Sequence, residues 1–131
     1  MQALHILAGP RARAQLRERG LRSEDVRVIP AAAGGPKGLA LNALDRFIFG
    51  HWLPTSVQTV HLMGASIGAW RMATACVADA DAALRRLAEG YIAQAYPHQA
   101  GRFPKARDVS RVFAEVLEEG LGRHVYHILR H

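Results

Sequence analysis

The apolar run Val57-Gln58-Thr59-Val60-His61-Leu62-Met63 leads directly into Gly64-Ala65-Ser66-Ile67-Gly68, and Ala69 to Val77 follows with the composition of a helix. Residues 57–63 read as a strand and 67–77 as a helix. Gly-x-Ser-x-Gly between a strand and a helix is the pattern of a nucleophile elbow. Such a turn is so tight that small residues must flank the serine. It lifts the Ser66 hydroxyl out of the backbone at the carboxyl end of the strand. Small residues also fill ordinary strand-to-helix turns, so the pentapeptide gains meaning from what stands upstream.

Upstream, Val26-Arg27-Val28-Ile29-Pro30 reads as a buried strand, with three β-branched residues. Ala33-Gly34-Gly35-Pro36-Lys37-Gly38 follows, and then Leu39 to Ile48, where Leu41, Leu44 and Ile48 recur at helical spacing. A glycine-rich turn again joins a strand to a helix. Its amide groups sit at the positive end of a helix dipole. Pro36 has no N–H, so the donors are Gly34, Gly35 and Lys37. Paired glycines let the backbone approach a ligand without a Cβ in the way. Three readings stand: a phosphate cradle, a plain turn, or an oxyanion hole. Neither Gly-x-x-x-x-Gly-Lys-Ser/Thr nor Gly-x-Gly-x-x-Gly is present, so no nucleotide motif fits. Parallel neighbouring strands would bring the loop and Ser66 to the same sheet edge.

Gly-Gly-x-Lys/Arg-Gly opening a helix, followed some thirty residues later by Gly-x-Ser-x-Gly, resembles the patatin-like phospholipases over roughly residues 26–78. The resemblance implies a three-layer α/β/α fold, here incomplete, with a small parallel sheet flanked by helices in one partial domain over residues 1–131. It implies a lipid acyl hydrolase (phospholipase or esterase) that works through a serine acyl-enzyme. Ser66 is then the nucleophile. Gly34 and Gly35 supply oxyanion N–H groups, Lys37 and Gly38 complete the loop over 33–38, and the Ile67 N–H adds a donor from the elbow over 64–68. Ala33 stands where many members carry a first glycine. This chemistry calls for no cofactor and no metal.

The resemblance also implies a base, an aspartate in a later Asp-Gly-Gly/Ala motif. No Asp-Gly pair occurs in the 131 residues. Asp79 and Asp81 fall thirteen and fifteen residues after Ser66, about 20 Å away along a straight helix. A general base must reach about 3 Å. Asp45 belongs to the helix after the glycine loop and Asp25 precedes the first strand, so neither is a partner for Ser66. The expectation is an N-terminal part of such a domain, or a truncated product, with little turnover by itself. A Ser–His–Asp triad is the weaker alternative: His98, His124, His127 and His131 follow Ser66, and Asp108 is the candidate middle acid, which only the last three histidines follow. A competing class is a non-catalytic α/β module that binds a nucleotide or another ligand.

Composition sets the remaining bounds. Half the residues (50%) are hydrophobic and 21% charged, enough for one core. Two good strands, with a third short one over Leu4–Leu7, leave a sheet edge unpaired and predict self-association. The net charge is +6, almost all from arginine, and Arg11, Arg13, Arg17 and Arg19 crowd one segment. Without aromatic interleaving this does not point to nucleic acid. A solvated basic face is the plain reading, and peripheral contact with an anionic membrane the functional one. No signal peptide or membrane span is legible, and the single cysteine, Cys76, reads as a buried helix residue of a cytoplasmic protein. Gly9-Pro10 to Gly20 frames an arginine-rich helix. Asp79 or Asp81 caps a helix reaching about Ala95. Asp108 to Gly120 forms the last helix, after a loop over Tyr96–Lys105. His61 is expected to pack against a helix, as is Met72, and Trp70 reads as packing.

Overall fold

The computed structural model describes residues 5–95 and 104–121. The chain is mixed α/β and mostly helical. Helix α1 (Pro10–Arg19) leads to strand β1 (Val28–Ala31). A 3-10 segment, Gly35–Leu41, passes into α2 (Asn42–Phe47) and a wider turn over Ile48–Trp52. Strand β2 (His61–Gly64) is followed by α3 (Ile67–Ala75), α4 (Ala80–Ile92) and α5 (Ala106–Leu121).

The two strands run parallel, with Val28 opposite His61, Ile29 opposite Leu62, Pro30 opposite Met63 and Ala31 opposite Gly64. Parallel neighbours require a crossover, and residues 32–60 provide it. The ladder continues past both ends of the pairing: the His61 N–H donates to Arg27 O at 2.8 Å, and the Ala65 N–H to Ala31 O at 3.1 Å. Pro30 lacks an N–H, a loss that an edge strand tolerates.

Alternation decides which sheet face is covered. Ile29, Ala31 and Leu62 pack against a core of Phe49, Met72, Ala80 and Leu84. On the opposite face Val28 is 48% exposed and Met63 62% exposed. Among the described residues helices therefore cover one side of the sheet, and each strand keeps a free outer edge. This is the bare edge that the sequence led us to expect.

Several boundaries are corrected. Residues 5–7 form no strand, residues 57–60 precede β2 rather than belonging to it, and α4 ends at Ile92. The expected helix over 39–48 is three geometries in succession. Its apolar face is not its buried face. Leu41 (44%) and Leu44 (38%) are exposed, while Asp45 is buried on the same segment. An ion pair turns the helix: Asp45 faces inward because Arg71 of α3 meets it there. His61 is exposed rather than packed, and Cys76 is exposed at the end of α3. The Cys76 Sγ donates to Met72 O, and partial burial pushes its thiol upward, against any nucleophilic role.

Helix ends follow their capping chemistry. Pro10 opens α1 and the Gly20 N–H closes it on Leu16 O. Asp79, not Asp81, caps α4 by accepting from the Ala82 N–H at 3.0 Å. Asp81 instead receives Arg46 Nε at 2.7 Å, which fastens α2 to α4. The loop expected over Tyr96–Lys105 lies mostly outside the described residues.

Candidate active site

Ser66 occupies the N-cap position of α3, where serine is among the preferred residues because its oxygen accepts an exposed amide. Here it does not cap. Its hydroxyl makes no bond to the helix, and its backbone sits at φ 52°, ψ −128° instead of the extended region an N-cap adopts. Among the described residues it is the one non-glycine with positive φ. Such a conformation costs about 1–3 kcal/mol and persists only where the surroundings enforce it.

The flanking glycines do the enforcing. A Cβ on Gly64 would overlap the Ala69 backbone, so β2 turns into α3 with no room for a side chain. A Cβ on Gly68 would overlap Ala31 O and stand 2.7 Å from Ala32 O, so the first turn of α3 rests on the end of β1. Both glycines of Gly-x-Ser-x-Gly are thus sterically required. Ser66 itself remains exposed.

The glycine-rich loop leaves from that same point. Ala31 and Ala32 touch Gly68, and six residues later a Cβ on Gly38 would stand 2.9 Å from Ile67 Cγ2. The loop is pinned at both ends to the first turn of α3. Within it Gly34 is exposed, and Gly35, at φ 53°, begins the 3-10 segment. The Lys37 N–H donates to Gly34 O at 3.3 Å and so is engaged in the turn. Gly38 is buried and serves the close contact with Ile67. Ile67 is the first residue of α3, so its N–H has no acceptor within the helix. The Gly68 N–H, by contrast, donates to Ala65 O at 2.9 Å.

A cleft of about 220 Å³ opens at Ser66 and is lined by Ser66, Ile67, Trp70, Tyr91 and Phe113. The Phe113 ring meets Trp70 edge-on at 4.7 Å and Tyr91 at 5.8 Å, geometries that aromatic quadrupoles favour. Gly34, Gly35 and Lys37 are outside this lining. Trp70, expected to be packing alone, is a wall of the cleft, whereas Met72 is buried in the core. Tyr91 and Phe113 lie 25 and 47 residues after Ser66 and carry no local signal beyond helical spacing.

Among the described residues no carboxylate or imidazole lines the cleft. All five aspartates of the chain are described, and four have other tasks. Asp25 accepts from Arg19, Asp45 from Arg71 and Asp81 from Arg46, while Asp79 caps α4. Asp108 sits in the first turn of α5. Of the expected histidines, His98, His124, His127 and His131 lie outside the described residues.

Behind the site Arg71 Nε and Nη2 donate to Asp45 Oδ2 and Oδ1 at 2.6 and 2.8 Å, a bidentate pair with both side chains buried. It ties the helix behind the glycine loop to the helix behind Ser66. Two charged residues 26 positions apart give no sequence signal for such a pair.

Among the described residues no helix is long and apolar enough to cross a membrane, and no group of His, Cys, Asp or Glu is arranged to hold a metal. No family model matches this chain, and no curated protein or solved structure was found to be similar to it.

Proposed function

We propose that this chain carries the nucleophile and oxyanion half of a patatin-like lipid acyl hydrolase, on part of a three-layer α/β/α domain. The observation that carries the reading is Ser66, an exposed serine at a helix N-cap that is held in a strained conformation and caps nothing. In the proposed reaction a base takes the hydroxyl proton and Ser66 Oγ bonds to the ester carbonyl carbon. The ester C–O bond breaks, the alcohol leaves with a proton, and water then releases the fatty acid. The amides of Ile67, Gly34 and Gly35 serve the oxyanion, each donor worth roughly a hundred- to a thousand-fold in rate. The Lys37 amide, engaged with Gly34 O, is the weakest candidate of that set. Four of the five aspartates are engaged elsewhere and none lines the cleft, so turnover by this chain alone is expected to be slow.

A chain without its base should retain the share of catalysis owed to the oxyanion site and to binding, about 10³–10⁴ over water in Ser-His-Asp enzymes that lose a triad member. A fluorophosphonate probe should therefore label Ser66 slowly but selectively, and Ser66→Ala should abolish the labelling. Ser110, an exposed serine on α5, is the internal control. Labelling of Ser66 no faster than Ser110, in a folded chain, would end the proposal.

The engaged aspartates favour a second reading, a ligand-binding α/β module without turnover. It predicts thermal stabilisation by a ligand with no labelling of Ser66.

A further inference from the structure

We infer that the aromatic cleft beside Ser66 is an acyl-group site of limited depth, which takes short and medium acyl chains or a small aryl group. The inference rests on the hydrolase reading for its reaction, but its binding claim stands on the cleft alone. Ser66 is one of the five residues of the lining, and the other four are Ile67, Trp70, Tyr91 and Phe113. Ile67 is 4% exposed and fixed against Gly38, so that wall does not retreat. Trp70 and Ile67 share the first turns of α3, Tyr91 ends α4, and Phe113 stands in mid-α5. Three helices thus border one open, partly polar cleft next to a hydroxyl. Rings that meet edge-to-face at 4.7 and 5.8 Å form a stiff wall, since neither can swing without losing its neighbour.

Volume sets the chain length. The cleft measures about 220 Å³. An apolar cavity of about 150 Å³ holds a six-carbon ring, so on the same scale this one has room for about nine carbons. Acyl chains of common membrane phospholipids are longer and would extend beyond the cleft into solvent. The polar groups of the lining, the Ser66 and Tyr91 hydroxyls and the Trp70 N–H, are too few to bind a sugar or a nucleobase. They suit one carboxyl or ester group at the mouth.

The test is equilibrium binding of straight-chain fatty acids to the whole chain, below their micelle concentrations, read by tryptophan fluorescence. Trp70→Phe, which leaves Trp52 in place, identifies the responding ring. Affinity should rise by up to about fourfold per methylene from butanoate to octanoate, the worth of a buried CH₂, and then level off. Phe113→Trp should narrow the cleft and weaken octanoate at least tenfold while leaving butanoate within threefold. Phe113→Leu, a milder change checked for an unaltered melting curve, should weaken octanoate less. Hexadecanoate binding more than tenfold tighter than octanoate, or no length dependence, would overturn the inference. The hydrolase reading is scored separately, by fluorophosphonate labelling of Ser66 in the same preparation. Octanoate binding as described with an unreactive Ser66 would sink the hydrolase and keep the site. Selective labelling of Ser66 without the length dependence would do the reverse.

Discussion

Replacing Arg71 by methionine isolates the interaction that holds the two halves of the site together. The guanidinium and the Asp45 carboxylate meet at 2.6 and 2.8 Å, with side chains 8% and 7% exposed. Methionine fills most of the arginine volume, so packing is largely kept and the charge is what disappears. A carboxylate then remains where water does not reach. Removing one partner of such a pair typically costs about 3–5 kcal/mol, about a fifth or more of a typical domain stability of about 5–15 kcal/mol. An unfolding entropy of about 2.1 cal/mol/K per residue over 131 residues converts that cost into a melting-temperature drop of roughly 11–18 °C. The pair itself need not be stabilising on balance, because both charges were desolvated to form it. The double change Asp45→Leu with Arg71→Met should accordingly return to within about 1 kcal/mol of the wild type, or above it. Urea titrations followed by circular dichroism, combined as a double-mutant cycle, measure both numbers. A single Arg71→Met variant within about 1 kcal/mol of the wild type, or a double variant as weak as the single, would show that the pair is not buried as described.

Three other outcomes are expected. Ser66→Gly should remove the hydroxyl yet raise stability by about 0–2.5 kcal/mol in urea titrations, because glycine accepts φ 52° and relieves strain of about 1–3 kcal/mol against an entropic penalty of about 0.5–1; a less stable variant would refute the strain. Arg46 hydrogen-bonds to Asp81 and holds its carboxyl below the usual range, so its contribution is present above the ordinary carboxylate pKa and fades as pH falls through the lowered one. The stability gap between wild type and Arg46→Gln should thus be widest near neutral pH and close as the pH falls below the ordinary carboxylate range, and a gap that widens with acid contradicts the pair. Helix α1 buries none of its residues, so Arg11→Gln with Arg17→Gln should weaken binding to anionic vesicles roughly thirtyfold, at about 1 kcal/mol per arginine near such a surface; unchanged partitioning would leave α1 a solvated helix.

The turn at Ser66 was legible because its causes are local. Tight backbone crossings exclude a Cβ, and glycine at 64 and 68 records that exclusion directly in the sequence. The parallel pairing of β1 with β2 agrees with the small parallel sheet that the resemblance implies. Strand lengths were overestimated because apolar character persists through Val57–Val60 while the pairing begins at His61. The orientation of α2 was misread for a different reason. Hydrophobic spacing placed Leu41 and Leu44 inward, but the buried partner is Asp45, and only the position of Arg71 in space decides that. The cleft was missed in the same way. Trp70, Tyr91 and Phe113 each satisfy the apolar face of their own helix, and only the packing of three helices brings the rings together.

The energetics of Ser66 argue against an incidental turn. A serine at this position has an inexpensive alternative, an extended backbone with its oxygen on the helix amides, worth about 1 kcal/mol. The chain forgoes that bond and accepts about 1–3 kcal/mol of strain. Relative to a capping serine the arrangement costs roughly 2–4 kcal/mol, a large fraction of the stability of a small domain. Three close contacts hold it there: Gly64 against the Ala69 backbone, Gly68 against Ala31 and Ala32, and Gly38 against Ile67. Together they fix β2 to α3, α3 to β1, and the glycine loop to α3, so the hydroxyl cannot relax into a cap without moving all three. What the strain secures is a hydroxyl with no helix bond, exposed beside an aromatic cleft. That is the one feature of this region that packing alone gives no reason to keep.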